Sequence, residues 1–441
     1  MKLSKLPLLI VTALLSLNIA VAQTSSEGLD TLTTKVNQLA GDMDKLKRLT
    51  ISGYLQGQFQ IADSVGVNSM DGGNFASNTD KRFSIRRGRV KFAYATGDMQ
   101  FVMQLDATER GVRLMDGYGV FAPHQLKVCS LTVGQFNRPF GYEIGYSSSL
   151  RETPERGRMS QVIFPNERDC GAMLTLQAPK TSNWSFLKLE AGMFNGTGAP
   201  NAAANGATNV SNTTDFDYFK DFIGHLSFVK SNKSETQTFS GGLSYYSGGY
   251  RQSTSKVYTM GEGKSDYWVF NLNDKKSYIG QRAMRKYQGA DFQYSFENFL
   301  GTTILRAEYI WGFQPGTASS TVSAQADPKA DVYVRQFNGG YLYFVQNILH
   351  SKHQIVVKYD WYDPNTKVST EQIGALKSGT GIADLKYTTL GFGWNYRFDA
   401  NVKVMLYYDI VKDETSSHLS KSGYNADLKD NVFTARIQYR F

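Results

Sequence analysis

The sequence predicts an all-β protein: a transmembrane antiparallel β-barrel of 16 strands, preceded by a short N-terminal periplasmic helix with a heptad pattern. Three observations favour this fold class. Short segments alternate between apolar and polar residues, the connections between them alternate between long and short, and the 441 residues include 26 Tyr and 27 Phe but only 10 Pro. In bacterial outer-membrane barrels, lipid-facing and lumen-facing residues alternate along each strand, and short periplasmic turns alternate with long outer loops.

The alternation is clear in the segment 99–108. Met99, Phe101 and Met103 alternate there with Gln100 and Gln104. A polar face of this kind is suited to a water-filled lumen, and the apolar face is suited to lipid. We therefore expect the same side-chain division in the other strands.

Sixteen segments are predicted as strands. Their approximate bounds are 50–62, 82–97, 99–108, 112–122, 126–136, 170–179, 184–194, 217–230, 235–248, 285–297, 301–313, 333–348, 353–363, 384–398, 401–412 and 431–441. Tight connections such as 97–98 alternate with long ones such as 63–81, and only the turn at 109–111 is short on the long side. The connection 249–284 has room for an extra hairpin.

Residues 1–22 are predicted to be a cleaved signal peptide. Lys2 and Lys5 precede an apolar stretch that ends in Ala20-Val21-Ala22, a pattern typical of a cleavage site. The protein is therefore expected to be exported and to reside in the bacterial outer membrane as a multi-pass β-barrel.

Residues 23–49 are predicted to form the periplasmic helix, and residues 50–441 the barrel. The apolar residues of the helix recur at heptad spacing: Leu29, Leu32, Val36, Leu39, Met43, Leu46 and Leu49. A single apolar stripe on a polar helix needs a partner. Two interpretations remain open: a coiled coil that joins copies of the protein, or a helix that lies against the periplasmic rim or plugs it.

Two stretches in the first part of the chain carry a family resemblance. The segment 82–108 begins with an arginine-rich run, and 126–143 contains the turn Gly134-Gln135-Phe136-Asn137-Arg138-Pro139-Phe140-Gly141. These features resemble the phosphate-selective porin O and P family. The resemblance implies a homotrimer of 16-stranded barrels, each with a basic lumen that favours anions and a third outer loop folded inward. In this chain that loop would be 137–168.

The positive charge is concentrated in one region of the sequence. Residues 81–168 contain 14 Lys and Arg against 8 Asp and Glu, whereas the whole chain has a net charge of +9. Arginine can donate paired hydrogen bonds to phosphate oxygens, and rings of such cations favour anions in a pore. The residues predicted to line an anion pathway are Arg86, Arg89, Lys91, Arg138, Arg151, Arg156, Arg158 and Arg168.

The second strand contains a change of phase. Phe83 and Ile85 are out of phase with Val90 and Phe92, which predicts a β-bulge near Gly88. The pattern therefore leaves open which way Arg86 and Arg87 face.

Other interpretations of the basic loop are a solvated outer loop, or arginines that bind lipopolysaccharide phosphates or neighbouring subunits. Four carboxylates of the same loop, Glu143, Glu152, Glu155 and Glu167, partly offset its charge. They indicate a weaker preference for anions than the arginines alone would give.

The sequence predicts an outer-membrane porin for the passive diffusion of small anionic solutes, with phosphate or polyphosphate implied by the resemblance. The alternatives are a weakly selective general porin and a surface or adhesion barrel. The expected partners are small anions, outer-membrane lipid and, through the terminal aromatic Phe441, the barrel assembly machinery. No nucleic-acid partner is expected. The sequence contains no nucleophile elbow, phosphate loop or metal-ligand spacing, so we predict no enzymatic activity, no cofactor and no metal site.

Overall fold

The computed structural model describes residues 31–39, 43, 45, 47–70, 73–198, 215–263 and 267–441. The predicted signal peptide lies outside these residues. Residues 31–39, within the predicted periplasmic segment, are helical and exposed. Among the helices of the described residues, none has both the length and the apolar character needed to cross a membrane.

Sixteen strands form one closed antiparallel barrel, which confirms the predicted fold class. The strands are β1 (Leu49–Ala62), β2 (Lys81–Thr96), β3 (Met99–Thr108), β4 (Gly111–Phe121), β5 (Cys129–Asn137), β6 (Arg168–Gln177), β7 (Leu187–Phe194), β8 (Asp221–Ser231), β9 (Gln237–Arg251), β10 (Arg282–Asn298), β11 (Gly301–Gly316), β12 (Val332–Asn347), β13 (His353–Asp363), β14 (Tyr387–Arg397), β15 (Val402–Asp413) and β16 (Val432–Arg440). Each strand pairs with the next, and β16 closes the barrel by pairing with β1 from Tyr54–Arg440 to Ala62–Val432. Closure leaves no open seam between the first and last strands.

Two hairpins and several short helices lie in the outer loops. The hairpin of Lys256–Glu262 and Trp268–Asp274 occupies the connection where the sequence left room for one, and its first strand pairs in parallel with the start of β12. The second hairpin, Asn68–Ser69 with Gly73–Asn74, follows β1. The helices are α1 (Arg158–Ile163) and the 3-10 segments Lys276–Tyr278, Thr370–Gln372, Ile382–Asp384 and Ser417–Ser422.

The strands separate apolar from polar side chains as the alternation predicts. On β11, Leu305, Tyr309 and Trp311 are exposed on the outside, whereas Arg306 and Glu308 are buried inside. The closed ladder of strands satisfies the backbone hydrogen bonds, and the apolar exterior presents a surface compatible with lipid. The chain is therefore built as a transmembrane barrel whose lumen is polar.

A β-bulge interrupts the pairing of β1 with β2. Gln56 pairs with Arg87, but the next residue, Gly57, pairs with Ile85, so Arg86 is the extra residue of the bulge. This confirms the predicted bulge, two residues before Gly88. Because of the extra residue, Phe83 and Ile85 are exposed on the outside while the two consecutive arginines both face the lumen.

Candidate pore constriction

The loop between β5 and β6 turns into the barrel directly after β5. Gly141 adopts a φ of +59°, a left-handed conformation that favours glycine. The backbone N–H groups of Tyr142 and Glu143 then donate hydrogen bonds of 3.2 and 3.0 Å to Oε2 of Glu308 on β11. The start of the loop is therefore fixed to the opposite part of the barrel wall.

An apolar cluster holds one side of the loop against the wall. The loop residues Phe140, Ile144, Met159, Val162, Ile163 and Phe164 pack with the lumen-facing residues Tyr246, Tyr287, Ile310, Phe337 and Tyr362. The ring centroid of Phe164 lies 5.9 Å from that of Tyr246 and 5.9 Å from that of Tyr287. The cluster also includes Phe136, Met173, Phe194 and Ile223 on β5–β8, and its burial fills the lumen beside these strands and β9–β13.

Polar contacts attach the middle of the loop to strands on other sides of the barrel. Ser148 lies 2.6 Å from the hydroxyl of Tyr54 on β1, and its carbonyl accepts a hydrogen bond of 3.1 Å from Gln56. Glu152 accepts hydrogen bonds of 2.7 and 3.0 Å from Arg306 on β11, and Lys403 on β15 donates one of 2.8 Å to the carbonyl of Arg151. These contacts carry the loop across the lumen.

Glu155 is the most heavily paired carboxylate of the loop. Arg86 lies 2.6 Å from it, Arg87 lies 3.0 Å away, and Arg436 on β16 lies 3.1 Å away. Burial by itself raises the pKa of Glu155, but the charges of the three arginines outweigh burial and hold the pKa well below its usual range. Glu155 therefore remains charged and connects the loop to β2 and β16.

Arg156 and Arg168 form a second charged group on the same loop. Nε of Arg156 donates a hydrogen bond of 2.9 Å to the carbonyl of Glu143, and its guanidinium forms an ion pair with Glu167. Arg168 also pairs with Glu167 and lies 3.0 Å from Asp116. Burial lowers the pKa of Arg156 well below its usual range, and the charge of Arg151 adds to this effect.

Two cavities lie on either side of the loop and share two arginines. The outer cavity has a volume of about 260 Å³ and the periplasmic cavity about 580 Å³. Arg89 and Arg156 line both. Arg89 lies 3.4 Å from Asp106, and Nη1 donates a hydrogen bond of 3.3 Å to the hydroxyl of Ser148. The two cavities therefore border the same arginine of the wall and the same arginine of the loop.

Both cavities have more cations than carboxylates in their lining. The outer cavity is lined by the cations Arg86, Arg87, Arg89, Arg113 and Arg156 and by the carboxylates Glu155 and Glu167. The periplasmic cavity is lined by the cations Arg89, Lys91, Arg156, Arg168 and Arg440 and by the carboxylates Asp116 and Glu190. Each cavity thus has five cations against two carboxylates.

The eight arginines and lysines predicted to line the anion pathway fall into two sets, according to whether they line the two cavities. Arg86, Arg89, Lys91, Arg156 and Arg168 line the two cavities. Arg138, Arg151 and Arg158 do not line either of them. Arg87 and Arg113, outside the predicted set, do line the outer cavity. The change of phase in β2, which predicts the bulge, was the sequence signal that could have placed Arg87 on the lumen side.

The three remaining arginines have different surroundings. Arg138 donates to the carbonyls of Glu167 and Pro165 and lies over the ring of Phe164. The guanidinium carbon of Arg158 lies 3.5 Å from the ring centroid of Tyr387. The buried guanidinium nitrogens of Arg151 have no hydrogen-bond partner in the described part of the chain. Arg138 and Arg158 thus support the loop rather than border the open space.

Replacing Gly141 with alanine is expected to displace the loop and to raise single-channel conductance. A Cβ atom at this position would overlap Oε1 of Glu308, and the positive φ adds strain. Gly145→Ala is the matched control, because its Cβ would lie 3.8 Å from the nearest atom, the carbonyl oxygen of Tyr142. Equal conductance in the two variants, measured in planar bilayers, would contradict this role of Gly141.

The closed 16-stranded barrel with an apolar exterior and a loop across its lumen has the architecture of a bacterial outer-membrane porin. The chain is an outer-membrane β-barrel. Among the described residues, no group of three or more His, Cys, Asp and Glu is arranged to hold a metal ion.

Comparison with solved structures supports this fold. The fold is similar to the outer membrane channel DcaP of Acinetobacter baumannii, with a TM-score of 0.50 and 12% identity over 89% of this chain and 97% of that chain. It is equally similar to Salmonella typhi OmpF in complex with daunomycin, with a TM-score of 0.50 and 12% identity over 89% and 97% of the two chains. At this identity the likeness shows the fold. No family model and no curated protein matches the sequence, so the resemblance to the phosphate-selective family is not confirmed by comparison.

Proposed function

We propose that this protein is a channel for the passive diffusion of small anionic solutes across the outer membrane. The observation that carries the proposal is the lining of the two cavities, each with five cations against two carboxylates. Clusters of Arg and Lys in a narrow lumen lower the barrier for anions and raise it for cations. Phosphate and polyphosphate are the anions that the family resemblance favours.

The arrangement of the arginines suits transport better than tight binding. Arg89, Arg113 and Arg168 each already contact a carboxylate of the wall or loop. A passing anion would therefore interact with a summed positive field and not with one fully unpaired cation. Such a field concentrates anions at the entrance while it leaves dissociation rapid.

A weakly selective general porin is the second candidate. Glu155 neutralises part of the charge of three arginines, and Glu167 pairs with both Arg156 and Arg168. This pairing reduces the net field at the constriction. The two candidates therefore differ in the size of the anion preference and not in the pathway.

The assembly that we propose is a homotrimer in outer-membrane lipid. The exposed heptad positions Leu32, Val36 and Leu39 of the periplasmic helix favour a coiled coil between copies. Phe441, at the end of the last strand, would be the residue that the barrel assembly machinery contacts.

Reversal potentials across planar bilayers in a KCl gradient test the proposal. We expect a potential of the sign set by chloride, and a reduction of the chloride current when phosphate is added. A potential near zero would favour the weakly selective porin, and a potential of the sign set by potassium would exclude anion selectivity. A barrel that inserts but conducts no ions would instead support a surface or adhesion role.

A further inference from the structure

The periplasmic cavity has cations on one side of its wall and apolar residues on another. The cations on the strands next to β1 are Arg89 and Lys91 on β2 and Arg440 on β16. On β4–β6 the lining includes one ion pair, in which Arg168 lies 3.0 Å from Asp116. The rest of the lining on these three strands consists of four apolar residues, two threonines and one asparagine.

The four apolar residues are Tyr118, Val120, Phe136 and Met173, which we call the apolar wall. Val120 pairs with Thr132 and Thr132 pairs with Met173, so these three lie in one row across β4, β5 and β6. The ring centroid of Tyr118 lies 5.8 Å from that of Phe136 in an edge-to-face arrangement. Phe136 and Met173 belong to the apolar cluster that holds the loop, whereas Tyr118 and Val120 are only partly buried. The cluster therefore presents an apolar surface to the cavity.

The apolar wall suits an organic anion better than an inorganic one. A hydrated phosphate ion gains hydrogen bonds from cations and polar groups but nothing from apolar side chains. Small-molecule sites, in contrast, have volumes of roughly 300–1,000 Å³ and combine apolar and aromatic side chains with a few charged groups. The periplasmic cavity, at about 580 Å³, lies in this range, whereas the outer cavity, at about 260 Å³, is smaller.

Two of the wall cations are placed to bind a carboxylate together. Lys91 pairs with Ser52 and Arg440 pairs with Tyr54, so the two cations lie on opposite sides of β1. Ser52 and Tyr54 are two residues apart, and residues two apart on a strand face the same side of the sheet. All four residues line the cavity. A carboxylate in front of β1 can therefore accept hydrogen bonds from Lys91 and Arg440 while the rest of its molecule extends towards the apolar wall.

We propose that the periplasmic cavity binds aromatic monocarboxylates, with the carboxylate at Lys91 and Arg440 and the ring against the apolar wall. This inference rests on the proposed anion channel and names a class of its substrates. An aromatic ring that packs against Tyr118 gains from its edge-to-face or offset contact as well as from burial. Glu190 on β7 also lines the cavity, and its charge disfavours a second carboxylate at the far end of the ligand.

Block of the chloride current by two monocarboxylates tests the proposal. Benzoate and acetate carry the same charge at neutral pH, but only benzoate has a ring. In planar bilayers that contain the unaltered protein, benzoate added to both sides should halve the chloride current at a roughly tenfold lower concentration than acetate, because its ring leaves water for the apolar wall. Equal blocking concentrations, or a lower one for acetate, would overturn the proposal.

Variants of Tyr118 assign the difference between benzoate and acetate to the apolar wall. Tyr118→Ala should bring the two blocking concentrations close together, whereas Tyr118→Phe keeps the ring and should preserve the difference. The matched control is Tyr245→Ala, which removes an aromatic side chain that is exposed on the outside of β9 and should leave the difference unchanged. Retained heat-modifiability on gels shows that each barrel is folded. An undiminished preference for benzoate in folded Tyr118→Ala would overturn the placement of the ring.

A second residue of the apolar wall keeps the test decisive if Tyr118→Ala does not fold. Val120→Thr exchanges a methyl group for a hydroxyl group at nearly constant volume, so it should reduce the preference for benzoate without disturbing the barrel. The same preference in Val120→Thr as in the unaltered protein would count against the apolar wall as the binding surface.

The reversal potential of the unaltered protein in a KCl gradient separates this proposal from that of the anion channel. A potential of the sign set by chloride, together with equal block by benzoate and acetate, would remove the aromatic site and leave the channel for anions. A potential of the sign set by potassium would overturn the anion channel and this inference with it.

Discussion

Replacing Arg89 with glutamine is expected to lower the anion-to-cation permeability ratio more than any other single change in the lining of the wall. Arg89 lines both cavities, whereas Lys91 lines only the periplasmic one. A unit charge acting over about 4 Å in water contributes roughly 1 kcal/mol, which corresponds to roughly a fivefold change in ion partitioning. We therefore expect Arg89→Gln to lower the anion permeability roughly fivefold, so that the permeability ratio falls by at least this factor, and we expect a smaller decrease for Lys91→Gln. Reversal potentials in a KCl gradient measure both.

The control for Arg89→Gln is a lysine outside the lumen. Lys233→Gln removes the same charge from the short turn between β8 and β9, away from both cavities. Its permeability ratio should equal that of the unaltered protein. The assignment of the constriction to Arg89 would be wrong if Arg89→Gln behaved like Lys233→Gln, or if Lys91→Gln had the larger effect.

The barrel could be predicted from the sequence because the patterns that specify it are local. The alternation of apolar and polar residues, as in Met99 to Gln104, indicates which face of a strand meets lipid. The lengths of the connections indicate which end of each strand is the outer end. The bulge was also detectable, since Phe83 and Val90 cannot share a face without an extra residue between them. Even the room for a hairpin between β9 and β10 followed from the length of that connection.

The role of each loop arginine could not be predicted, because it depends on residues far away in the sequence. Glu155 meets arginines that are 69, 68 and 281 positions away, and Arg158 lies over the ring of Tyr387. Nothing in the local pattern distinguishes Arg156, which lines both cavities, from Arg151, which lines neither. The apolar cluster decides between them, since it holds the loop beside β9–β13 and so determines which side chains border the open space.

Contacts between residues far apart in the sequence also explain why a count of charges along the sequence describes the charge of the lumen only approximately. Arg436 lies near the end of the chain, outside the basic region, and yet pairs with Glu155 next to Arg86 and Arg87. Closure of the barrel brings β16 beside β1, whose other neighbour is the basic strand β2, so Arg436 lies only one strand away from Arg86 and Arg87. The positive region is therefore a property of the closed barrel as well as of residues 81–168.

Glu155→Gln is expected to change selectivity in the direction opposite to Arg89→Gln. The variant leaves Arg86, Arg87 and Arg436 without a carboxylate between them, so the anion-to-cation permeability ratio should rise. Removing one partner from a buried ion pair typically costs about 3–5 kcal/mol, so the attachment of the loop to β2 and β16 should also weaken. We expect larger fluctuations of the open-channel current and a lower temperature of heat modification on gels.

The effect of pH on Glu155 follows from its lowered pKa. A carboxylate with a depressed pKa in the folded protein contributes stability above its ordinary pKa of about 4.5, and this contribution is lost as the pH falls through the depressed value. Glu155 therefore stays charged when the pH is lowered from neutrality to about 5. The difference in heat modification between the unaltered protein and Glu155→Gln should be the same at both pH values, and it should shrink only in stronger acid.

Glu152→Gln separates the loss of a loop attachment from the change in charge at the constriction. Glu152 is also buried in the loop and pairs with an arginine, but its partner, Arg306, lies on β11, and neither residue lines the two cavities. Both glutamine variants should loosen the loop, whereas only Glu155→Gln should raise the anion preference. If the two variants changed the permeability ratio equally, the field at the constriction would depend on the position of the loop and not on the three arginines that Glu155 joins.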